Sequence, residues 1–201
     1  MLAMRTDRLV MAATVACWLV TVGLGLGKIW AYANTPGQAA EAPTGWPAAS
    51  QLARDDARPT LVMLVHPQCS CSKASMGELE KLMAHVHGKV TAHVLFYRPA
   101  GAGPDWTDSD LWRIASSIPG VAVSVDDDGR EAARFGGFVS GQTFLFDTEE
   151  RLAFAGGITF ARGHAGDNAG RASLQALILR DGPASARTPV FGCALGRPVI
   201  S

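Results

Sequence analysis

The chain has 201 residues, 48% of them hydrophobic, with 18 basic and 18 acidic residues and a formal net charge of zero. This length fits one ordinary domain with extensions. The balanced charge and an aromatic content of 7% argue against a nucleic-acid partner, because such surfaces combine positive charge with stacking rings.

The N-terminus predicts a membrane segment. Arg5 and Arg8 precede an uncharged run, Leu9–Gly27, which at about 1.5 Å per residue nearly crosses a hydrocarbon core of about 30 Å. We favour an uncleaved anchor, since a signal peptide's apolar region has only about 7–15 residues. A cleaved signal peptide ending at Ala31-Tyr32-Ala33 is the alternative. In both cases the basic end stays in the cytoplasm and the rest of the chain is exported, into the periplasm or an equivalent extracytoplasmic space.

Strand and helix patterns alternate from Thr60 onward. The apolar run 61–65 is typical of a buried parallel strand. Leu79, Leu82, Met83 and Val86 follow helical spacing, which predicts a helix from Ser72 to about His87. The other predicted elements are strand 90–96, a helix from 108 or 109 to 118, strand 121–125, a short helix, a hairpin of strands 143–146 and 152–155, and a last helix around 174–178. This order predicts an α/β fold with a mixed sheet flanked by helices.

Composition divides the chain into five segments. These are a cytoplasmic N-terminus (1–8), a transmembrane anchor or signal segment (9–30), an Ala/Pro/Gly-rich linker (31–58), an α/β domain (59–181) and a loosely structured C-terminal tail (182–201) that carries Cys193.

The sequence HPQCSCS at 66–72 places Cys69 and Cys71 where the first strand meets the first helix. A helix N-terminus favours the thiolate, which is the nucleophile of disulfide exchange. We predict Cys69 as the nucleophile, because it lies nearer the exposed end, and Cys71 as the resolving thiol. A bond between them would be strained and labile, which favours exchange over a structural role.

Other residues are candidate auxiliary groups. Cys193 is either a second resolving thiol or idle, and Cys17 in the apolar run is expected to be inert. His66 either tunes Cys69, binds metal or packs. His164, in the loop after the hairpin, is either a proton carrier, a metal ligand or a solvated residue, with Asp167 or Asn168 capping the last helix.

The segments CSCSKASMGELEKL and IPGVAVSVDDDGREAARFGGFVSGQTFLFD resemble the thioredoxin-like superfamily, and in particular membrane-anchored periplasmic proteins of the TlpA/ResA type. The segments LFYRP, SGQTFLFD and GHAGDNAGR are also similar to RedB-like proteins. The resemblance implies a thioredoxin-like fold around a C-x-C motif in place of C-x-x-C. Ser72 stands where that family has its second cysteine, and Gly141, after Ser140, stands at the family's cis-proline position. We therefore include these three residues as auxiliary candidates.

These observations predict a membrane-tethered thiol–disulfide oxidoreductase that acts on protein thiols and disulfides without a cofactor. The alternative is a copper- or zinc-binding protein similar to the Sco type, with Cys69, Cys71, His66 and His164 as candidate ligands. A thiol peroxidase is disfavoured by the lack of a T-x-x-C signature, and a redox-inactive binding domain is the remaining alternative.

Overall fold

The computed structural model describes residues 2–39 and 41–196, with side chains from residue 7 onward. Met1, Ala40 and the last residues of the predicted tail, 197–201, lie outside the described residues. The chain divides into a helical unit, Met1–Thr35, and a compact unit, Pro36–Ser201.

The N-terminal unit is one helix, α1 (Leu2–Asn34). Its portion Asp7–Asn34 has a mean hydropathy of 2.2 and none of it is buried. At about 1.5 Å per residue this portion is longer than a hydrocarbon core of about 30 Å. The predicted apolar helix is confirmed, and by length and composition it is a candidate membrane span.

The compact unit is built on a five-stranded sheet with the strand order β3-β2-β1-β4-β5. The strands are β1 (Thr60–Val65), β2 (Thr91–Arg98), β3 (Val121–Asp127), β4 (Gln142–Phe146) and β5 (Leu152–Gly157). Strands β1, β2 and β3 are parallel, whereas β4 is antiparallel to β1 and to β5. Because β1 is central and covered on both faces, all of its residues are buried, which explains its unbroken apolar run.

The helices are α2 (Ser72–Val86), α3 (Asp110–Ser117), α4 (Arg130–Arg134) and α5 (Ala169–Leu179), with a short 3₁₀ helix at Pro104–Trp106 that the sequence did not predict. The Ser109 hydroxyl accepts a hydrogen bond from the Trp112 amide at 3.2 Å and caps α3. Helices α2, α3 and α5 cover one apolar face of the sheet, and α4 packs on the other. This is the predicted mixed-sheet α/β architecture with the thioredoxin-like order of elements.

The predicted linker is partly a component of the domain. Trp46 packs edge-on against Phe135 and Phe146, with ring centroids 5.1 and 5.2 Å apart, and Leu52 joins the same core. The Trp46 amide also donates to the carbonyl of Glu150 at 2.8 Å. Composition alone misses this docking, because it depends on a few anchor residues within an otherwise polar segment.

The described part of the predicted tail, residues 182–196, forms no helix or strand but is hydrogen-bonded to the domain. The Ala155 amide of edge strand β5 donates to the Ala186 carbonyl at 2.9 Å, and the Gly37 amide donates to the Val190 carbonyl at 2.8 Å. Val190 and Leu195 are buried. The tail therefore covers the β5 edge and returns across the domain towards the end of β1.

Candidate thiol site

The loop of residues 66–71, called the motif loop below, joins β1 to α2 and carries two cysteines. The Cys69 amide donates to the His66 carbonyl at 3.0 Å, and the Ser72 amide donates to the Cys69 carbonyl at 3.0 Å. Cys71 already has helical backbone angles and stands at the N-cap of α2 without a side-chain cap. Both thiols therefore lie at the positive end of the α2 dipole.

The third cysteine arrives on residues 189–196, called the tail loop below. The Ser140 amide donates to the Cys193 carbonyl at 2.8 Å, and the Leu195 amide donates to the Phe138 carbonyl at 2.8 Å. Gly192 lies against the Ser140 carbonyl so closely that a Cβ would overlap it. The tail loop thus pairs with the segment before β4, which holds Cys193 beside the motif loop.

The three thiols converge. The Sγ atoms of Cys69 and Cys193 are 2.6 Å apart. All three sulfur atoms, including that of Cys71, lie within 4.8 Å of one another. Cys69 is 3% exposed, whereas Cys71 and Cys193 are half-buried. An S–S bond is about 2.05 Å long, so Cys69 and Cys193 need little movement to form a disulfide.

The surroundings shift the pKa values of the three thiols in different directions. Burial alone would raise the pKa of Cys69, but hydrogen bonds from the Cys193 thiol, the Ser72 hydroxyl and nearby amides outweigh it, so the pKa of Cys69 is lowered. Burial and the charge of Cys69 raise the pKa of Cys71. Burial, followed by the contact with Cys69, raises the pKa of Cys193 to about 12. Cys69 is therefore the thiol of the three that its surroundings favour as a thiolate.

The serines flanking this site connect its parts. The Ser140 hydroxyl accepts a hydrogen bond from the His66 amide at 2.8 Å and lies 2.6 Å from the Ser72 hydroxyl. Ser72, which stands where the resembled family has a second cysteine, thus supplies a hydrogen bond to Cys69 in place of a thiol. Gly141 adopts a φ of +85°, and its amide donates to the Leu64 carbonyl at 2.7 Å. Among the described residues no peptide bond is cis.

The two candidate histidines do not join the thiols. The group of metal-ligating side chains found within 4.8 Å in the described part of the chain consists of the three cysteines. The His66 ring packs against Tyr97 and Trp106, with centroids 5.9 Å away in both cases, and burial lowers the pKa of His66. His164 is exposed, and its Nδ1 lies 2.7 Å from the Arg162 carbonyl. The metal-ligand set containing these histidines is therefore not assembled in this structure.

The loop after β5 does return to the thiols, as the hairpin direction predicted, but it presents Arg162 there. The Arg162 guanidinium donates to the Gly192 carbonyl, and its positive charge acts on Cys71 and Cys193. The sequence analysis missed this residue. The hairpin topology is the signal that could have pointed to Arg162, because an antiparallel hairpin brings the loop after β5 back towards the end of β1.

A buried carboxylate fixes the same loop to α2. Glu78 accepts hydrogen bonds from the Gly166 amide at 3.0 Å and the Asn168 side chain at 3.2 Å. It also pairs with Arg171 at 2.6 Å and with Lys81 at 2.8 Å. These contacts outweigh burial and lower the pKa of Glu78. Asn168 caps α5 by accepting from the Arg171 amide at 2.8 Å, which confirms the predicted capping role.

An open groove of about 380 Å³ runs along the motif loop and α3 and has Cys69 in its wall. Apolar side chains of Pro67, Leu111 and Ile114 line it together with polar and charged ones. This mixed lining matches a polypeptide more closely than a small apolar ligand.

Comparison with solved structures places the architecture among known folds. A hypothetical protein from Sinorhizobium meliloti 1021 aligns with a TM-score of 0.59 and 19% identity over 82% of this chain and 96% of its own. An uncharacterized conserved protein from Geobacillus kaustophilus aligns with a TM-score of 0.59 and 17% identity over 84% of this chain and 95% of its own. The pneumococcal exposed lipoprotein thioredoxin aligns at 12% identity with a TM-score of 0.42, over 62% of this chain and 86% of its own. No protein-family model and no curated protein matches the chain. At these identities the similarity concerns the fold alone.

Proposed function

We propose that the protein is a membrane-tethered, extracytoplasmic thiol–disulfide oxidoreductase in which Cys69 is the nucleophile and Cys193 is the resolving thiol. The observation that carries the proposal is the 2.6 Å separation between the sulfur atoms of Cys69 and Cys193. Two thiols held at this distance by separate segments of the chain are poised to exchange with a disulfide.

The first step is attack on a substrate disulfide that enters along the groove. The Cys69 thiolate forms an S–S bond with one substrate sulfur, the substrate S–S bond breaks, and the second substrate sulfur leaves as a thiolate. The lowered pKa of Cys69 supports this role, because the thiolate is the reactive form. The hydrogen bond from Ser72 steadies the negative charge before the attack.

The second step resolves the mixed disulfide. The Cys193 thiol loses its proton to solvent, its sulfur bonds to Cys69, and the substrate's remaining sulfur departs as a thiolate. The substrate has then gained two electrons, and the enzyme holds a Cys69–Cys193 disulfide. An external dithiol must reduce that disulfide to complete the cycle.

Cys71 is the resolving thiol predicted from the sequence, and that prediction stays open. Its sulfur is within the cluster, but the geometry favours Cys193, whose sulfur is in direct contact with Cys69. A bond between residues two positions apart also needs a strained backbone. We infer that Cys71 influences how readily the other two thiols ionise and exchange.

The apolar helix α1 supports the location. It is long enough to span a bilayer, and its basic N-terminal end favours a cytoplasmic start, which exports the thiol domain. Exported thiols meet an oxidising environment, where protein disulfides persist unless a reductant acts on them.

The test uses the full chain in detergent and dithiol-dependent reduction of a protein disulfide. We expect Cys69→Ser to abolish turnover. We expect Cys193→Ser to accumulate a mixed disulfide between Cys69 and substrate, seen by mass spectrometry, while Cys71→Ser keeps most of its turnover.

Cys17→Ser is the matched control, since Cys17 lies in α1 outside the thiol domain. It should leave turnover unchanged. Full activity in Cys69→Ser would refute the proposal. A mixed disulfide that accumulates only in Cys71→Ser would instead return the resolving role to Cys71.

A further inference from the structure

The three cysteines outnumber the two that disulfide exchange needs. In the described part of the chain they form one group whose sulfur atoms lie within 4.8 Å of one another. A metal–sulfur bond of about 2.3 Å in a trigonal arrangement spaces three sulfurs about 4 Å apart. All three sulfurs lie within 4.8 Å of one another, and the Cys69–Cys193 pair, now at 2.6 Å, must open to reach that spacing.

We propose that reduced Cys69, Cys71 and Cys193 form a three-thiolate binding site for a single Cu(I) ion. Soft thiolates select soft monovalent copper. Zn(II) in closed protein sites takes four ligands, and no fourth cysteine, histidine or carboxylate joins the group within the described residues. Binding releases three thiol protons and forms three Cu–S bonds without changing the oxidation state of the metal.

The residues around the three cysteines favour metal binding through burial and positive charge. Cys69 is 3% exposed and the other two cysteines are half-buried, so little water competes for the metal. Three thiolates and one Cu(I) leave two negative charges. The amides at the start of α2 and the nearby Arg162 guanidinium, which contacts Gly192, oppose those charges.

Copper binding and disulfide exchange exclude each other at this cluster. A disulfide between any two of the three cysteines removes two ligands, and a bound Cu(I) occupies the sulfur of Cys69. The inference goes beyond the proposed exchange activity and does not depend on it, because metal uptake is measured without any disulfide substrate.

The experiment titrates the reduced full chain in detergent with Cu(I) alone, under anaerobic conditions, against a chromogenic Cu(I) chelator. We expect one copper per chain, with three sulfur neighbours in the X-ray absorption spectrum. Loss of a residue that only hydrogen-bonds to a metal ligand costs about 10–100-fold in metal affinity. Loss of a direct ligand should cost no less, so we expect each of Cys69→Ser, Cys71→Ser and Cys193→Ser to lower the copper affinity at least tenfold. Circular dichroism of each metal-free variant checks that it folds.

Cys17→Ser is the matched control, because Cys17 lies in α1 and does not belong to the group, and this variant should bind copper as the unmodified chain does. A chain oxidised with a diazene, which accepts two electrons and two protons, should lose the site, and a dithiol should restore it. Unchanged copper affinity in Cys193→Ser, or equal copper in the triple cysteine variant, overturns the site. Displacement of Cu(I) by equimolar Zn²⁺ overturns the choice of metal.

Discussion

The motif loop and the tail loop bring cysteines to the same point, but they are held there by different kinds of contact. The motif loop is a set of turns whose hydrogen bonds join residues three positions apart, such as the Cys69 amide and the His66 carbonyl, and it continues directly into α2. The tail loop has no helix or strand of its own. Its position depends on pairing with the segment before β4, more than fifty residues earlier in the chain.

This difference assigns different mechanical roles to the two loops. Local hydrogen bonds keep Cys69 in place whether or not the tail is docked, so the nucleophile is fixed. The tail loop is held by contacts between separate segments rather than by a helix or strand of its own, and we expect such a segment to open at low free-energy cost. We infer that exchange with a bulky substrate moves Cys193 rather than Cys69.

The largest expected effect comes from closing the bond between the two loops. Cys69 and Cys193 are 124 positions apart, and a disulfide across a loop of that length stabilises the folded state by about 5 kcal/mol in the chain-entropy model. We expect the free energy of unfolding of the oxidised protein to exceed that of the reduced protein by about this amount. Urea titration of both forms measures it.

The cysteine variants show which pair is responsible. Cys71→Ser should keep the gain on oxidation, and Cys193→Ser should lose it. Almost no gain on oxidation of the unmodified chain would instead mean that Cys69 pairs with Cys71, because that bond closes almost no loop and constrains the unfolded chain very little.

A smaller effect is expected from loosening the tail loop alone. Gly192 faces the Ser140 carbonyl without room for a Cβ, so Gly192→Ala forces the two segments apart at a cost of about 2 kcal/mol. Amide exchange at Ser140 and Leu195, which both donate to backbone carbonyls in this pairing, should accelerate, and Cys193 in the reduced protein should alkylate faster.

Gly103→Ala is the control for this variant, since a Cβ at Gly103 meets nothing within 4 Å. Its amide exchange and alkylation should match those of the unmodified chain. If Gly192→Ala leaves Cys193 as protected as before, the tail loop is not held by its contact with Ser140.

The same contrast explains how much could be predicted from the sequence. Strand β1 and helix α2 were predicted within one residue at each end, because an unbroken apolar run and a helical repeat are local patterns. The position of Cys69 followed from their junction. The position of Cys193 did not, because it depends on hydrogen bonds and a close glycine contact between distant segments.

The loop after β5 is an intermediate case. The direction of the hairpin predicted that the loop returns to the thiols, but not which side chain points inward. That depends on a local turn in which the His164 ring bonds to the Arg162 carbonyl and packs against Phe160, which leaves Arg162 to reach Gly192. Sequence patterns fix the path of such a loop better than the orientation of its side chains.

The smallest expected effect separates the two loops at a residue that bonds to both. The Ser140 hydroxyl bonds to the motif loop through the His66 amide, whereas its backbone amide bonds to the tail loop through Cys193. Ser140→Ala removes the hydroxyl's contacts with the His66 amide and the Ser72 hydroxyl but keeps the backbone contact with Cys193. It leaves a buried amide without its partner, at a cost of about 1 kcal/mol. Amide exchange at His66 should accelerate, while alkylation of Cys193 stays at its original rate.

The matched control is Thr143→Val, which removes a buried hydroxyl from β4 that bonds to the Gly141 carbonyl and contacts neither loop by a hydrogen bond. It should lower the free energy of unfolding by a similar amount without changing exchange at His66. If Ser140→Ala exposes Cys193 as much as Gly192→Ala does, the two loops open as one unit. The motif loop would then not hold Cys69 independently of the tail, because its local turns would be too weak to persist alone.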